Sequence, residues 1–419
     1  MLDGRPSRAT GLYIHVPFCA RKCEYCAFYS HAPDAQLVER YVSALIREIG
    51  LVSAGSKPRT IFFGGGTPSL LTVRQWERVI DALERFHLLA PEEWTVECNP
   101  ATLSAEKARL LKSVGVNRIS LGVQSLDKTL LDRLGRIHSR EAVFKSFDLL
   151  RHAGFDNINL DLMFAIPGQT LPVWRRTLIE AGALQSEHLS CYEVIYEEDT
   201  PLFVQLQAGR FSVNEDLACD MYDELLQFAA AQGYEQYEVA NFARREAGSK
   251  SELPDRACRH NVNYWRGGDF HGLGPSATAY VGGVRTKNWS NTVLYCERLD
   301  RGQRAIEWRE KLTPLARAGE TAAFGLRMTA GWPFEEFQTV TGFDLREEWA
   351  AEMREAVETD LASQEAERFR LTPRGLRFAD AVAENFLRPE RDANVASRES
   401  SFMLRDLPAP GATPVRALP

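Results

Sequence analysis

Residues 11–26 read Gly-Leu-Tyr13-Ile-His15-Val-Pro-Phe-Cys19-Ala-Arg-Lys-Cys23-Glu-Tyr25-Cys26, a short apolar run followed at once by three cysteines spaced C-x3-C-x2-C. A run of this length, rich in β-branched and aromatic residues, is expected to be a strand. The thiols just beyond it then lie at the strand's C-terminal end, where α/β folds built on parallel sheets gather their ligands. Three thiolates on one loop can hold three corners of an iron–sulfur cubane. Such clusters usually take four cysteines, so three leave one iron with a position open for another ligand. A zinc site completed by His15 or His31 would use the same kind of donor. The other five cysteines, Cys98, Cys191, Cys219, Cys258 and Cys296, are scattered. That is unlike the disulfide framework of a small secreted domain. Tight clustering in a large acidic chain points instead to metal ligation in a reducing cytoplasm.

Outward from this stretch, short apolar runs alternate with longer amphipathic ones as far as residue 200. The runs GLYIHVPF, TIFFGGG, WTVECNP, RISLGVQ, INLDLMF and LSCYEVI read as strands, and helix-sized segments separate them near residues 34–52, 73–87, 104–114, 139–152 and 172–184. Repeated βαβ units predict a parallel sheet in an α/β domain, as an open partial barrel or a doubly wound sheet. Polar residues and glycines recur at the strand ends, at Cys19, Gly64–Thr67, Glu97, Gln124 and Asp161. That recurrence predicts one shared site.

The 419 residues suggest several domains at ~150 residues each. The reading is a flexible tail over residues 1–10, a barrel over 11–200, a second α+β region over 201–305 on the barrel mouth, a winged-helix-like domain over 306–388 and a disordered tail over 389–419. A net charge of −7 gives nucleic acid no global attraction, so no nucleic-acid partner is expected. No apolar run approaches the ~20 residues that span a bilayer, which leaves room only for a peripheral membrane association. The expected location is cytoplasmic, and a homodimer is compatible with the composition.

Tyr13-Ile-His15-Val-Pro-Phe-Cys19 with the C-x3-C-x2-C spacing resembles the radical-SAM superfamily, in the flavour of its oxygen-independent coproporphyrinogen dehydrogenases and HemW-type heme chaperones. The resemblance covers about residues 11 to 388. It implies a partial (β/α)6 TIM-like barrel with a C-terminal HemN/HemW-type α+β region and a winged-helix-like appendix. It also implies a [4Fe–4S] cluster on Cys19, Cys23 and Cys26, whose open iron binds S-adenosylmethionine (SAM) and whose electron cleaves it to a deoxyadenosyl radical. Gly64-Gly65-Gly66-Thr67-Pro68 resembles the family's motif for the SAM amino group, and glycines there allow close backbone approach. The family pattern further assigns Tyr13, Tyr25, Glu97, Gln124, Arg136 and Asp161 to the SAM site. Arg136 suits a carboxylate through its planar fork.

Two features separate the branches. The dehydrogenases carry a fourth cysteine two residues after the third, where this chain has Phe28. They also have a longer segment ahead of the first strand, where this chain has ten residues. His260-Asn-Val-Asn-Tyr264-Trp265 resembles the HNxxYW signature of the HemW-type chaperones, and Gly272, Gly274 and Ala277 keep the spacing of their glycine-rich run. The resemblance therefore implies a heme-binding protein, with His260 as a heme contact, that receives electrons from a donor and delivers heme to an acceptor protein. The alternative is a dehydrogenase that decarboxylates coproporphyrinogen III.

Overall fold

The computed structural model describes residues 10–52, 57–89 and 91–388. Of the tails expected over residues 1–10 and 389–419, residues 1–9 and 389–419 lie outside the described residues, and Thr10 begins the first strand.

The chain is an α/β protein whose main sheet has twelve strands. Its first half is the expected repeat: β1 (Thr10–Val16), β2 (Pro58–Gly65), β3 (Glu93–Cys98), β4 (Arg118–Gln124), β5 (Ile158–Phe164) and β6 (His188–Glu193), each pairing parallel with the next. Helices Ala35–Val52, Val73–Arg85, Ala105–Ser113, Arg140–His152 and Leu171–Ala183 make the crossovers. Several start on caps legible in the sequence. Thr72 and Gln75 form a reciprocal capping box, and Ser104 and Ser139 each accept an amide of their own first turn.

Period-two alternation gives the strands two different faces. Leu12, Ile14, Ile61, Phe63, Trp94, Val96, Ile119, Leu121, Leu160 and Leu162 point outward into the core shared with the helices. The inward face is polar. Asn159 Nδ2 donates to Ser120 Oγ at 2.7 Å, and its Oδ1 stands 2.6 Å from His188 Nδ1.

Residues 201–305 extend the sheet instead of forming a separate layer on its mouth. The hairpin β7 (Tyr234–Glu238) and β8 (Asn241–Arg244) adds antiparallel to β6. At the other edge β9 (Phe270–Leu273) pairs parallel with β1, and β10 (Thr278–Val281), β11 (Val284–Asn288) and β12 (Ile306–Lys311) continue from it. The glycine-rich run makes this join. A Cβ at Gly274 would lie 2.3 Å from the His15 carbonyl oxygen, so only glycine lets the chain pass the end of β1. Gly274 N donates to the buried carboxylate of Glu48 at 2.8 Å, which also accepts from Tyr295 and Asn288.

Beyond β12 a second apolar core, built on Trp332, Phe337, Trp349, Phe369 and Phe386, organises a C-terminal unit. It contains a small antiparallel sheet of β13 (Trp332–Pro333), β14 (Ala362–Gln364) and β15 (Arg368–Leu371), flanked by helices. No described helix is long and apolar enough to cross a membrane.

Candidate functional site

Cys19, Cys23 and Cys26 are free, partly exposed, and line one cavity at the C-terminal ends of the parallel strands. Backbone hydrogen bonds fix their loop: Cys19 N donates to His31 O at 3.0 Å, Glu24 N to Leu134 O at 3.0 Å, and Leu202 N to Glu24 O at 2.9 Å. Burial pushes the Cys26 thiol up to about 12 and raises that of Cys19. Thiolates in such a place need a metal's charge to persist. The histidines that could have completed a zinc set are already engaged. His15 donates Nε2–H to Tyr29 O at 2.8 Å and accepts from Tyr13 OH at 3.0 Å, while His31 bonds Ala32 O and Thr292 Oγ1. Among the described residues no three His, Cys, Asp or Glu side chains stand at the spacing of one ion's ligands.

The rest of the cavity wall comes from successive strand ends. β2 delivers Gly65, Gly66 and Thr67. Gly65 sits at φ +100, and a Cβ there would lie 2.4 Å from the His15 ring. β3 delivers Glu97, whose carboxyl is pushed up to about 8 by burial and then by the Asp161 charge. β5 delivers Asp161, raised by burial to about 6 despite hydrogen bonds from Ser120 Oγ at 3.1 Å and Asn159 Nδ2 at 2.8 Å. At the end of β4 the register shifts and Gln124 takes φ +63. This is a bulge of the kind that re-aims a side chain, and Gln124 lines the cavity. Arg136 and Tyr25 complete the lining contributed by the sequence-predicted residues. Arg136 is half-buried beside Cys23, with Nη2 donating to Gly122 O at 2.6 Å and Nη1 lying 3.5 Å from Cys23 Sγ.

Two predicted residues lie elsewhere. Tyr13 is buried and does not line the cavity; its ring stacks on Phe62 at 6.2 Å, and its hydroxyl holds His15. His260 lies deeper. Its ring stacks on Phe62 at 5.1 Å, Nδ1 is 2.8 Å from Thr60 Oγ1 and Nε2 is 2.7 Å from Tyr264 OH. Thr60 is at the start of β2 and Gly65 at its end, so at ~3.3 Å per residue the two layers are roughly 16 Å apart. The structure therefore does not bring His260 to the cavity, and both its ring nitrogens are bonded. The whole HNxxYW motif is buried, in helix Arg259–Trp265: His260 1%, Asn261 3%, Tyr264 6% and Trp265 2% exposed. Glu93 receives the helix start, accepting from Arg259 N at 2.9 Å and His260 N at 3.0 Å, a favourable place for a negative charge.

Tyr192 and Glu193, at the end of β6, also line the cavity. The strand-end rule that picked Glu97 and Asp161 would have found them had it been carried to the sixth strand. Phe28 and Ile137 line the mouth and are 44% and 46% exposed, an apolar lip beside the exposed Arg21 and Lys22.

The chain matches known families and proteins over most of its length. Residues 13–178 match the Radical SAM superfamily and residues 312–378 the HemN C-terminal domain. The chain is 35% identical to heme chaperone HemW of Bacillus subtilis (strain 168), over 90% of this chain and 98% of that one. It is 33% identical to heme chaperone HemW of Lactococcus lactis subsp. lactis (strain IL1403), over 90% and 96%. Among solved structures it is similar to coproporphyrinogen III oxidase (HemN) from Escherichia coli, a radical SAM enzyme. That match has a TM-score of 0.77 at 21% identity, covering 91% of each chain.

Proposed function

The chain belongs to the HemW-type family of radical SAM proteins, and from that premise we propose that it is a heme chaperone that holds its cluster on Cys19, Cys23 and Cys26. Membership implies a [4Fe–4S] cluster and SAM. The observation that carries the site assignment is convergence: three free thiols and the acceptors Glu97 and Asp161 line a single cavity. When bound, the cluster and SAM supply one-electron chemistry. The chain's own part is to hold and orient them. Gly65, Gly66 and Thr67 offer close backbone approach to the amino acid end of SAM. Glu97 and Asp161 offer acceptors to its ribose hydroxyls, Tyr25 and Gln124 enclose it, and Tyr13 steadies the layer beneath. Arg136 stands at the cluster edge of the same site.

Heme enters this reading at the mouth rather than at His260, whose nitrogens are bonded. Phe28 and Ile137 offer a flat macrocycle an apolar seat, and Arg21 and Lys22 offer its propionates opposite charge. Phe28 stands where the dehydrogenases have their extra cysteine, which favours carriage over decarboxylation. The relatives' naming as heme chaperones supports an acceptor protein as partner, and an electron donor follows from the cluster.

The test is an anaerobic comparison of reconstituted protein offered hemin and coproporphyrinogen III side by side. The expected result is a hemin-dependent Soret band, weakened about fivefold in affinity by Phe28→Ala as ~1 kcal/mol of apolar contact is lost, with no decarboxylated product. Turnover of coproporphyrinogen III in the presence of SAM and reductant would hand the site to the dehydrogenase reading.

A further inference from the structure

A chain of buried hydrogen bonds runs beneath the cavity, from Asp161 to the start of the HNxxYW helix. Its members are Ser120 of β4, Asn159 of β5, His188 of β6 and Tyr237 of β7, none more than 3% exposed. Asp161 accepts from Asn159 Nδ2 at 2.8 Å and from Ser120 Oγ at 3.1 Å. Asn159 Oδ1 is 2.6 Å from His188 Nδ1, and His188 Nε2 is 2.8 Å from the Tyr237 hydroxyl. The Tyr237 oxygen in turn accepts from Cys258 N at 3.1 Å. Cys258 is the residue that precedes helix Arg259–Trp265.

These partners leave one direction for every proton. A carboxylate only accepts, so Asn159 turns its amide NH2 to Asp161 and its carbonyl oxygen to His188. His188 must then carry its proton on Nδ1, and its bare Nε2 accepts from the Tyr237 hydroxyl. Burial, and then the Arg118 charge, keep this imidazole neutral. Each donor thus points toward Asp161, and hydrogen bonds aligned head to tail polarise one another. We propose that Asn159 and His188 are positioning residues for SAM. The chain they form, anchored on the Cys258 amide, aims the Asp161 carboxylate at its ligand and makes the HNxxYW helix the far anchor of the SAM site. Neither residue lines the cavity, so each acts through Asp161. No proton or bond is transferred along the chain. The inference rests on Asp161 being a SAM contact, as in the proposed function.

The test is a calorimetric titration of SAM into the full chain, anaerobically reconstituted, with variants made in the wild-type and Asp161→Ala backgrounds. If Asp161→Ala bound SAM as tightly as wild type, the proposed function's use of Asp161 would fall, which is distinct from failure of this inference. With Asp161 contributing, Asn159→Leu keeps the side chain's shape and loses its amide. It is expected to weaken SAM binding about tenfold, since a hydrogen bond to a charged group is lost. His188→Leu should weaken it by less, and His188→Asn, which returns an N–H near the Nδ1 position, should recover most of that loss. In the Asp161→Ala background none of these changes should matter. Should Asn159→Leu fail to assemble a cluster, the two His188 variants and Tyr237→Phe decide the matter in the same way. Nitrogen-15 resonance of histidine-labelled wild-type protein adds a second readout, with His188 identified by the loss of its signals in His188→Asn. The expected proton is on Nδ1. Unchanged affinity in Asn159→Leu and His188→Leu, an equal loss in both backgrounds, or a His188 proton on Nε2 would overturn the proposal.

Discussion

Glu97 and Asp161 are carboxyls in a place that resists their charge, and that gives SAM binding a pH dependence of definite sign. Burial holds Asp161 near 6 and Glu97 near 8. At neutral pH the first is mostly ionised and the second mostly protonated. A carboxylate accepts from ribose hydroxyls and attracts a sulfonium, so the ionised forms are the binding forms. Affinity for SAM should therefore rise from about pH 5 to about pH 9, as first Asp161 and then Glu97 ionises, and level off above. Calorimetry across this range checks it. Glu97→Gln should remove the alkaline part of the rise and cost ~1–3 kcal/mol at pH 8. A profile that stays flat in the wild-type protein would take both carboxyls out of the binding step.

At the scale of the element, the HNxxYW helix supports the barrel floor. His260 joins Thr60 of β2 to Tyr264, and Glu93 of β3 receives the amides of Arg259 and His260. His260→Ala should leave two hydroxyls unsatisfied and a cavity under Phe62, at a cost of about 3–5 kcal/mol in chemical denaturation. Hemin affinity of the protein that stays folded should not change; a selective loss of hemin binding with unchanged stability would restore His260 as a heme contact. The cost should also depend on pH. Burial, with Arg118 adding to it, holds the folded imidazole neutral down to about 3, whereas the unfolded one takes a proton near 6.5. Neutral burial therefore stabilises the fold less as pH falls below about 6.5. The gap between wild type and variant should narrow by ~1.4 kcal/mol per pH unit there. Much of this architecture was legible in the sequence. Six strands were short, apolar and followed by helical periodicity, and chemistry-bearing residues marked their ends. What was not legible depends on non-local pairing. Nothing in FHGL says that it will lie beside β1, so the motif-rich segment read as a layer on the mouth. Alternation alone also does not reveal that a bulge turns Gln124, or that Arg136 reaches the Gly122 carbonyl and Cys23 Sγ.

In the whole molecule, the barrel and the C-terminal unit meet at a buried charge. Arg327 lies 3.6 Å from Glu238 of β7 and 2.9 Å from Asp380 of helix Ala379–Phe386, with its guanidinium 5.1 Å from the Trp265 ring centre. Arg327→Ala should strip the partner from the almost fully buried Glu238 and destabilise the protein by about 3–5 kcal/mol. Replacing Arg327 and Glu238 together with apolar residues should recover part of the loss. Denaturation of the single and double variants checks both, and a single variant as stable as wild type would show that the junction does not depend on this pair. Neither Arg327 nor Glu238 lines the cavity, so the site should survive in whatever remains folded. The account stands or falls on that site. It is tested most directly by the electron paramagnetic resonance of reduced, reconstituted protein before and after addition of SAM. The account predicts a [4Fe–4S] signal that changes when SAM occupies the open iron, and no signal when Cys19, Cys23 and Cys26 are all replaced by Ala. A cluster that persists in that triple variant, or a wild-type signal indifferent to SAM, would contradict it.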